Sequence, residues 1–403
     1  MLALLASLLS ICLPWVLSQP HSQSQSLIEP FERSYRLGLQ SIEQGDYSLS
    51  SSHLEEALRL SPQDIDTLQL LGSVALKLGN ISAARVYLSQ AIYLSQWNST
   101  GYIANYIEAL RCSGDHSDAI EIGTRALQLH PHGVDILFNL GTIYGNLKRY
   151  NEAFDAYLRI VTIDPSQVGA WKRGTSSLLD ASRFVEAEEF ARQAIHRFPS
   201  NYYLVYQLGI ALHSQGKLFK AMEAYVAALE LNSTSPPIVA SMAALYQGLG
   251  LADKAIQLYE HVIPLLPEDA GVLNNFGALL GTMNRHDEGV QWLLASYAVD
   301  PTMVHTLVNL ASHYQDEADQ AQAHLFLQKA VDQDYDSSVF LQLRMHMLIS
   351  PVLRSWEQMN EERNQLRRNL THFLQTANIT PLALDSTLDR VPFYISYHGI
   401  DQE

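Results

Sequence analysis

The apolar positions of the chain recur with the spacing of α-helices from about residue 31 to residue 337. Between turn residues they follow a period near 3.6, as in helices that bury one stripe of side chains. Two helix-length segments alternate, and the whole pattern returns every 34 residues. A repeat of this length predicts a chain of helical hairpins.

Small residues mark the repeat. One series of positions starts at Gly38 and Gly72, moves to Ile107 through one extra residue, and then continues every 34 residues to Ala311. Twelve residues after each mark stands Gly, Ala or Ser, in the order Ser50, Ala84, Ala119, Ala153, Ala187, Ala221, Ala255, Gly289 and Ala323. Two antiparallel helices approach closely only where side chains are small. Proline follows the second helix in six of the nine units, where it stops the hydrogen-bond ladder.

These nine units, over residues 31–337, are identified as tetratricopeptide repeats. The resemblance implies an all-α superhelical solenoid in which the first helix of each unit lines a groove. Residues 338–377 read as capping helices. Residues 378–403 read as an extended connector that contains a short strand-like tail, and a single strand has no ladder partner in an all-helical chain.

The first eighteen residues are uncharged and almost wholly apolar, which predicts a secretory signal peptide over residues 1–18. An uncleaved anchor or an organelle leader stays open. Residues 19–30 are rich in Ser and Gln and predict a disordered lead-in. The expected location is the secretory pathway, the extracellular space or an organelle lumen, with the cytoplasm as the alternative.

Five Asn-x-Ser/Thr sequences are N-glycosylation candidates in such a compartment. They begin at Asn80, Asn98, Asn232, Asn369 and Asn378. Cleavage after residue 18 would remove Cys12 and leave Cys112, which we expect to be a packed thiol, as the single cysteine. A mature chain with one cysteine has no internal disulfide.

The formal net charge of −16 argues against binding to nucleic acid, which needs clustered Lys and Arg. Membrane contact is expected only if the leader is an uncleaved anchor. No nucleophile elbow, zinc-protease motif or nucleotide-binding glycine loop occurs, so we predict no catalytic residue, no metal site and no cofactor. The expected partner is polypeptide.

One column of residues, two positions before each mark, is predicted to face the groove. Its polar members in the middle and later units are Asn105, Asn139, Arg173, Gln207, Asn275 and Asn309, with Ser241 between them. An amide side chain has both a donor and an acceptor, so a row of them can pair with the backbone of an extended peptide. The alternative is that these positions are simply solvent-facing. A carboxylate clamp at Lys172 and Arg173 is incomplete, because Ser176 stands where asparagine is needed.

The end of the chain resembles the connector of protein O-GlcNAc transferase and SPINDLY-like glycosyltransferases. The residues that carry the resemblance are Leu343, Arg344, Pro351, Ser355, Glu357, Arg363 and Phe393 to Ile400. In that family an asparagine ladder holds acceptor polypeptide, and it corresponds here to Asn105, Asn139, Asn275 and Asn309. The resemblance implies the acceptor-recognition half of a nucleotide-sugar-dependent protein O-glycosyltransferase, without its catalytic lobes. The alternative is a stand-alone secreted or organellar adaptor.

Overall fold

The computed structural model describes residues 24–317 and 319–333, and residues 361, 364, 365 and 368 beyond them. Between residues 24 and 333 the regular structure is helical, and the all-α prediction is confirmed. The helices are α1 (Ser24–Glu43), α2 (Tyr47–Leu60), α3 (Ile65–Lys77), α4 (Ile81–Leu94), α5 (Thr100–Cys112), α6 (His116–Leu129), α7 (Val134–Asn146), α8 (Tyr150–Ile163), α9 (Val168–Asp180), α10 (Phe184–Arg197), α11 (Tyr202–Ser214), α12 (Leu218–Leu231), α13 (Pro236–Gly248), α14 (Ala252–Val262), α15 (Ala270–Thr282), α16 (His286–Val299), α17 (Val304–Asp316) and α18 (Gln320–Gln333).

In eight repeats, from α1 to α16, a short turn with a left-handed residue joins the first helix to the second. The residue is glycine in five of these turns, at Gly45, Gly79, Gly114, Gly216 and Gly250. Lys148, Ser182 and Asn284 occupy the same position in three others, each with a φ near +60°. Several helices start with a side-chain cap, as where Asp64 accepts from the backbone N–H of Thr67. The left-handed residue is the feature that these hairpin reversals share.

The small-residue column lies where the two helices of a hairpin cross. Ala153 of α8 is 0% exposed and belongs to a core with Tyr157 and Trp171. At the α15–α16 crossing the two backbones meet, because a Cβ on Gly277 would lie 2.8 Å from the carbonyl oxygen of Gly289. The predicted reason for the small residues, close helix approach, therefore holds at these crossings.

The helices form two compact units. Unit 1 ends at Gln215 and includes α1 to α11, and unit 2 begins at Gly216 and includes α12 to α18. Unit 1 buries successive clusters of aliphatic and aromatic side chains between its hairpins. Unit 2 does the same around Tyr259 and Phe276 and around Leu307 and Phe326.

The start of the chain differs from the expectation at one point. Helix α1 begins at Ser24, inside the segment 19–30 for which disorder was predicted. Helical spacing of Leu27, Phe31 and Tyr35 explains why the helix extends back into that segment. The signal peptide at 1–18 and the connector at 378–403 lie outside the described residues, as does nearly all of the capping segment at 338–377.

No helix within the described part of the chain is both long and apolar enough to span a membrane.

Candidate functional site

The first helices of unit 1 lie side by side and form one surface, here called the first-helix face. Direct contacts join the first helices from α3 to α11, each to the next. Asn105 of α5 donates to the hydroxyl of Ser73 of α3 at 3.1 Å. Asn139 of α7 donates to the carbonyl oxygen of Ala104 of α5 at 2.8 Å. Two members of the predicted column, Asn105 and Asn139, therefore each reach the preceding first helix.

The same contacts show that these amides have a structural role, which the sequence did not indicate. A backbone carbonyl can only accept, so the bond to Ala104 fixes the orientation of the Asn139 amide, with its nitrogen toward α5. The donor half of Asn139 therefore holds two repeats together. Its oxygen is the half that remains for a ligand, and the side chain is half-buried.

Gln207 of α11 departs from the prediction. Its side-chain nitrogen donates to the carbonyl oxygen of Lys172 at 2.9 Å and to the hydroxyl of Ser176 at 2.7 Å. The residue is 1% exposed, and its buried oxygen has no hydrogen-bond partner. Gln207 thus lies beneath the face rather than on it, because its longer side chain reaches back to α9. The same bond occupies Ser176, the position that a carboxylate clamp would need.

Lys172 and Arg173 of α9 are flanked by aromatic rings of the neighbouring first helices. The Arg173 guanidinium carbon lies 5.5 Å from the centre of the Phe138 ring on α7. The Lys172 ammonium lies 5.6 Å from the centre of the Tyr203 ring on α11. Arg173 is exposed and Lys172 is half-exposed. Lys172 and Arg173 therefore place positive charge on the first-helix face. Among the described first helices, they are the only cations that lie near an aromatic ring.

A paired charge lies at the end of α5. Arg111 donates two hydrogen bonds to the Glu108 carboxylate, at 2.7 and 2.6 Å. These bonds lower the pKa of Glu108. Cys112 beside them is exposed, so the expectation of a packed thiol is wrong, since the residue ends its helix and faces outward. Partial burial and the charge of Glu108 raise the pKa of this thiol.

Unit 2 has its own amide network. Asn309 of α17 donates to the side-chain oxygen of Asn274 of α15 at 2.9 Å, and Asn274 donates to Asn275 at 3.1 Å. Burial raises the pKa of the neighbouring Tyr259, and a hydrogen bond with Asn275 opposes that rise. Asn275 and Asn309 are half-buried. They are connected through the buried Asn274, which the predicted column did not include.

An open cleft of about 560 Å³ lies near the start of the array, between the turn that precedes α3 and the turn that precedes α5. The hydroxyl of Tyr102 donates to the carboxylate of Asp66 at 2.8 Å there. This bond is the main cause that raises the pKa of Tyr102 to about 12. In the part of the chain with described side chains, no three His, Cys, Asp or Glu residues gather as a metal site.

Three of the predicted glycosylation sites are described. Asn80 caps α4 by accepting from the N–H of Ala83, and it is exposed. Asn98 is exposed in the turn before α5. Asn232 is half-exposed and accepts from the backbone N–H and the hydroxyl of Thr234. Asn369 and Asn378 lie outside the described residues, and modification of all five stays a prediction.

Known proteins share the repeat. Sequence models of the tetratricopeptide repeat match residues 65–96, 134–167 and 176–236. Human Protein O-mannosyl-transferase TMTC3 is 24% identical over 265 residues, which cover 60% of this chain and 28% of that protein. Bovine BBSome complex member BBS4 is 22% identical over 259 residues, covering 64% of this chain and 43% of that protein. The chain thus spans less than half the length of either relative.

Among solved structures, yeast Tom70 is 12% identical and covers 90% of this chain and 95% of its own, with a TM-score of 0.46. That likeness is too weak to argue from. The helix hairpins and the repeat matches together establish tetratricopeptide repeats and confirm the predicted fold class. They leave the resemblance of the connector to O-GlcNAc transferase as a prediction.

Proposed function

We propose that this tetratricopeptide-repeat protein is an interaction scaffold that binds extended polypeptide along its first-helix face. The observation that carries the proposal is the orientation of the amide of Asn139. Its nitrogen is fixed against the preceding repeat, and its oxygen is left as an acceptor. Backbone N–H groups of an extended chain are donors that any sequence supplies, so such a site recognises polypeptide generally.

The spacing of the repeat suits this ligand. Packed helices lie about 8–10 Å apart. An extended chain advances about 3.3 Å per residue. Successive first helices would then meet backbone groups about three residues apart, which leaves the intervening side chains free to differ. Asn105 and Asn139 are consecutive members of the column in unit 1, so they form the shortest testable stretch of it.

The test uses peptides selected from a displayed random library on the full chain and then titrated by fluorescence polarisation. The double variant Asn105→Ala/Asn139→Ala is expected to bind them about tenfold more weakly, because two hydrogen bonds of about 0.5–1.5 kcal/mol each are lost. The matched control is Asn151→Ala. Asn151 accepts a hydrogen bond from Arg183 in the next repeat, but it lies on a second helix.

Thermal melts of both variants separate binding from stability, because each variant loses contacts between neighbouring repeats. Selected peptides that bind the double variant as tightly as the native chain would contradict the proposal. So would a selection that enriches no peptide at all.

A second candidate is the acceptor-binding part of a protein O-glycosyltransferase. Two observations favour it: the resemblance of residues 343–400 to a transferase connector, and the match to a relative named Protein O-mannosyl-transferase. The match to a BBSome complex member keeps the stand-alone adaptor as its competitor. Sequencing the native transcript across the codon for Glu403 distinguishes them. A frame that continues into a nucleotide-sugar domain supports the transferase, and a stop codon supports the adaptor.

A further inference from the structure

Positive charge is almost absent from the first helices of the later repeats. Helices α7, α9, α11, α13, α15 and α17 together contain two basic residues of the Lys/Arg type, and these are the neighbours Lys172 and Arg173. The other basic residues of the chain from 134 to 316 lie on second helices or in turns. In a chain with a net charge of −16, this isolated pair is a local reversal of sign.

Neither cation has a carboxylate partner among the described residues. Eight arginines there form ion pairs within 4.0 Å, and Arg173 is not one of them. The acidic residue of their own helix, Asp180, follows Arg173 by seven positions, which is about 10.5 Å along the axis. The charge of the pair is therefore not neutralised within the structure.

The aromatic neighbours position the two cations. Phe138 lies against the Arg173 guanidinium and Tyr203 lies near the Lys172 ammonium, so each side chain leans toward a different neighbouring helix. A ring face attracts a cation without using up its N–H donors. The Arg173 guanidinium also interacts with the Tyr157 hydroxyl, and its other N–H groups, with those of the Lys172 ammonium, stay available for an anion. Beneath them, the bonds from Gln207 to Lys172 and Ser176 hold α9 to α11. Lys172 and Arg173 therefore lie on the part of the first-helix face where hydrogen bonds hold α9 to α11.

We propose that Lys172 and Arg173 are the anchoring point for acidic side chains of an extended polypeptide that lies on the first-helix face of unit 1. This inference rests on the proposed function and adds the chemistry of the preferred ligand. Charge complementarity selects the occupant, since the asparagines pair with any backbone and the cation pair distinguishes Asp/Glu-containing segments from neutral ones. The ligand groups are side-chain carboxylates, so a free C-terminus is not required.

The experiment measures fluorescence polarisation of the full chain with three labelled peptides of about twelve residues, long enough to extend over roughly 40 Å. The first carries adjacent Asp and Glu residues at its centre and has an acetylated and amidated backbone. The second is its Asn/Gln isostere with the same blocked ends. The third is the neutral peptide with a free C-terminal carboxylate.

The blocked acidic peptide is expected to bind at least tenfold more tightly than its neutral isostere, and this preference should shrink as salt rises from about 0.05 M to about 0.5 M. Lys172→Glu/Arg173→Glu should abolish the preference. The matched control Lys148→Glu/Lys220→Glu makes the same change of charge in a turn and on a second helix, and should retain it.

Equal binding of the acidic and neutral blocked peptides would overturn the anchor while leaving the proposed function standing. Binding of none of the three, with peptides from the library selection also failing, would reject both. A gain for the free C-terminus alone would replace side-chain recognition by terminal-carboxylate recognition. If the charge-reversed variant melts earlier than its control, Lys172→Gln/Arg173→Gln provides the same test at a smaller change in charge.

Discussion

At the scale of single residues, hydrogen bonds between repeats decide what the polar side chains can do. Tyr102 and Asn139 belong to first helices, and each reaches across to the preceding one. Such a residue cannot be assigned to binding or to stability from its position alone. Both residues hold neighbouring repeats together, and the binding role proposed for Asn139 depends on its amide oxygen alone.

Tyr102 provides a prediction about pH. Its bond to Asp66 raises its pKa to about 12, whereas a tyrosine in the unfolded chain titrates near 10. A raised folded-state pKa stabilises the fold below pH 10, and that contribution falls as the pH rises from about 10 to about 12. Chemical denaturation at a series of pH values should show this decline. Tyr102→Phe should make it smaller, and Tyr93→Phe, at an exposed second-helix position, should leave it as it is.

The residue scale also shows where the sequence was sufficient. The small-residue column predicted the helix crossings, because a crossing tolerates only small side chains. Gly, Ala or Ser stands at this position in all nine repeats, so the pattern is visible in the sequence. The amide column was predicted as a surface, but its hydrogen bonds were not. Whether Gln207 reaches a ligand or the carbonyl of Lys172 depends on distances between helices, which a one-dimensional pattern does not contain. The buried Asn274 gave no sequence signal, since it lies one residue outside the column.

At the scale of the elements, the backbone conformation of the hairpin turns is more regular than their amino-acid sequence. Every such turn of α1 to α16 places one residue in the left-handed region, but the residue is lysine, serine or asparagine in three of them. The backbone demand therefore comes from the hairpin geometry, and glycine is one way of meeting it. Where a side chain stands at this position, it adds strain that the rest of the hairpin tolerates.

Replacing these residues with glycine should stabilise the protein. Lys148→Gly and Ser182→Gly are each expected to raise the free energy of unfolding by about 0.5–1 kcal/mol, because the strain of a side chain at positive φ disappears. Asn284→Gly should gain less, since asparagine tolerates this conformation better. The reverse change Gly79→Ser, at a φ of +73°, should lose a similar amount. Denaturant midpoints measure all four, and a loss of stability in both Lys148→Gly and Ser182→Gly would show that the turns are not strained.

At the scale of the whole molecule, the repeats within each unit pack on their neighbours, and the cores of a unit follow one another along its sequence. Clusters in unit 1 and in unit 2 are made of residues close in sequence. In such an array stability is approximately a sum of repeat terms and nearest-neighbour terms. A single global free energy is then a poor description, and the response to a core substitution should be local.

Ala153→Leu tests this locality. Ala153 is fully buried at the α7–α8 crossing, so the larger side chain should overpack it and cost about 1–3 kcal/mol. Hydrogen exchange followed by mass spectrometry should show lost protection in α7 to α10 and nearly unchanged protection in α15 to α18. The comparable substitution Ala255→Leu in α14 should give the opposite pattern, with protection lost around α13 to α16. Equal loss in both regions for either variant would mean that the array unfolds as one cooperative body, and nearest-neighbour coupling would then be too strong for the two units to respond separately.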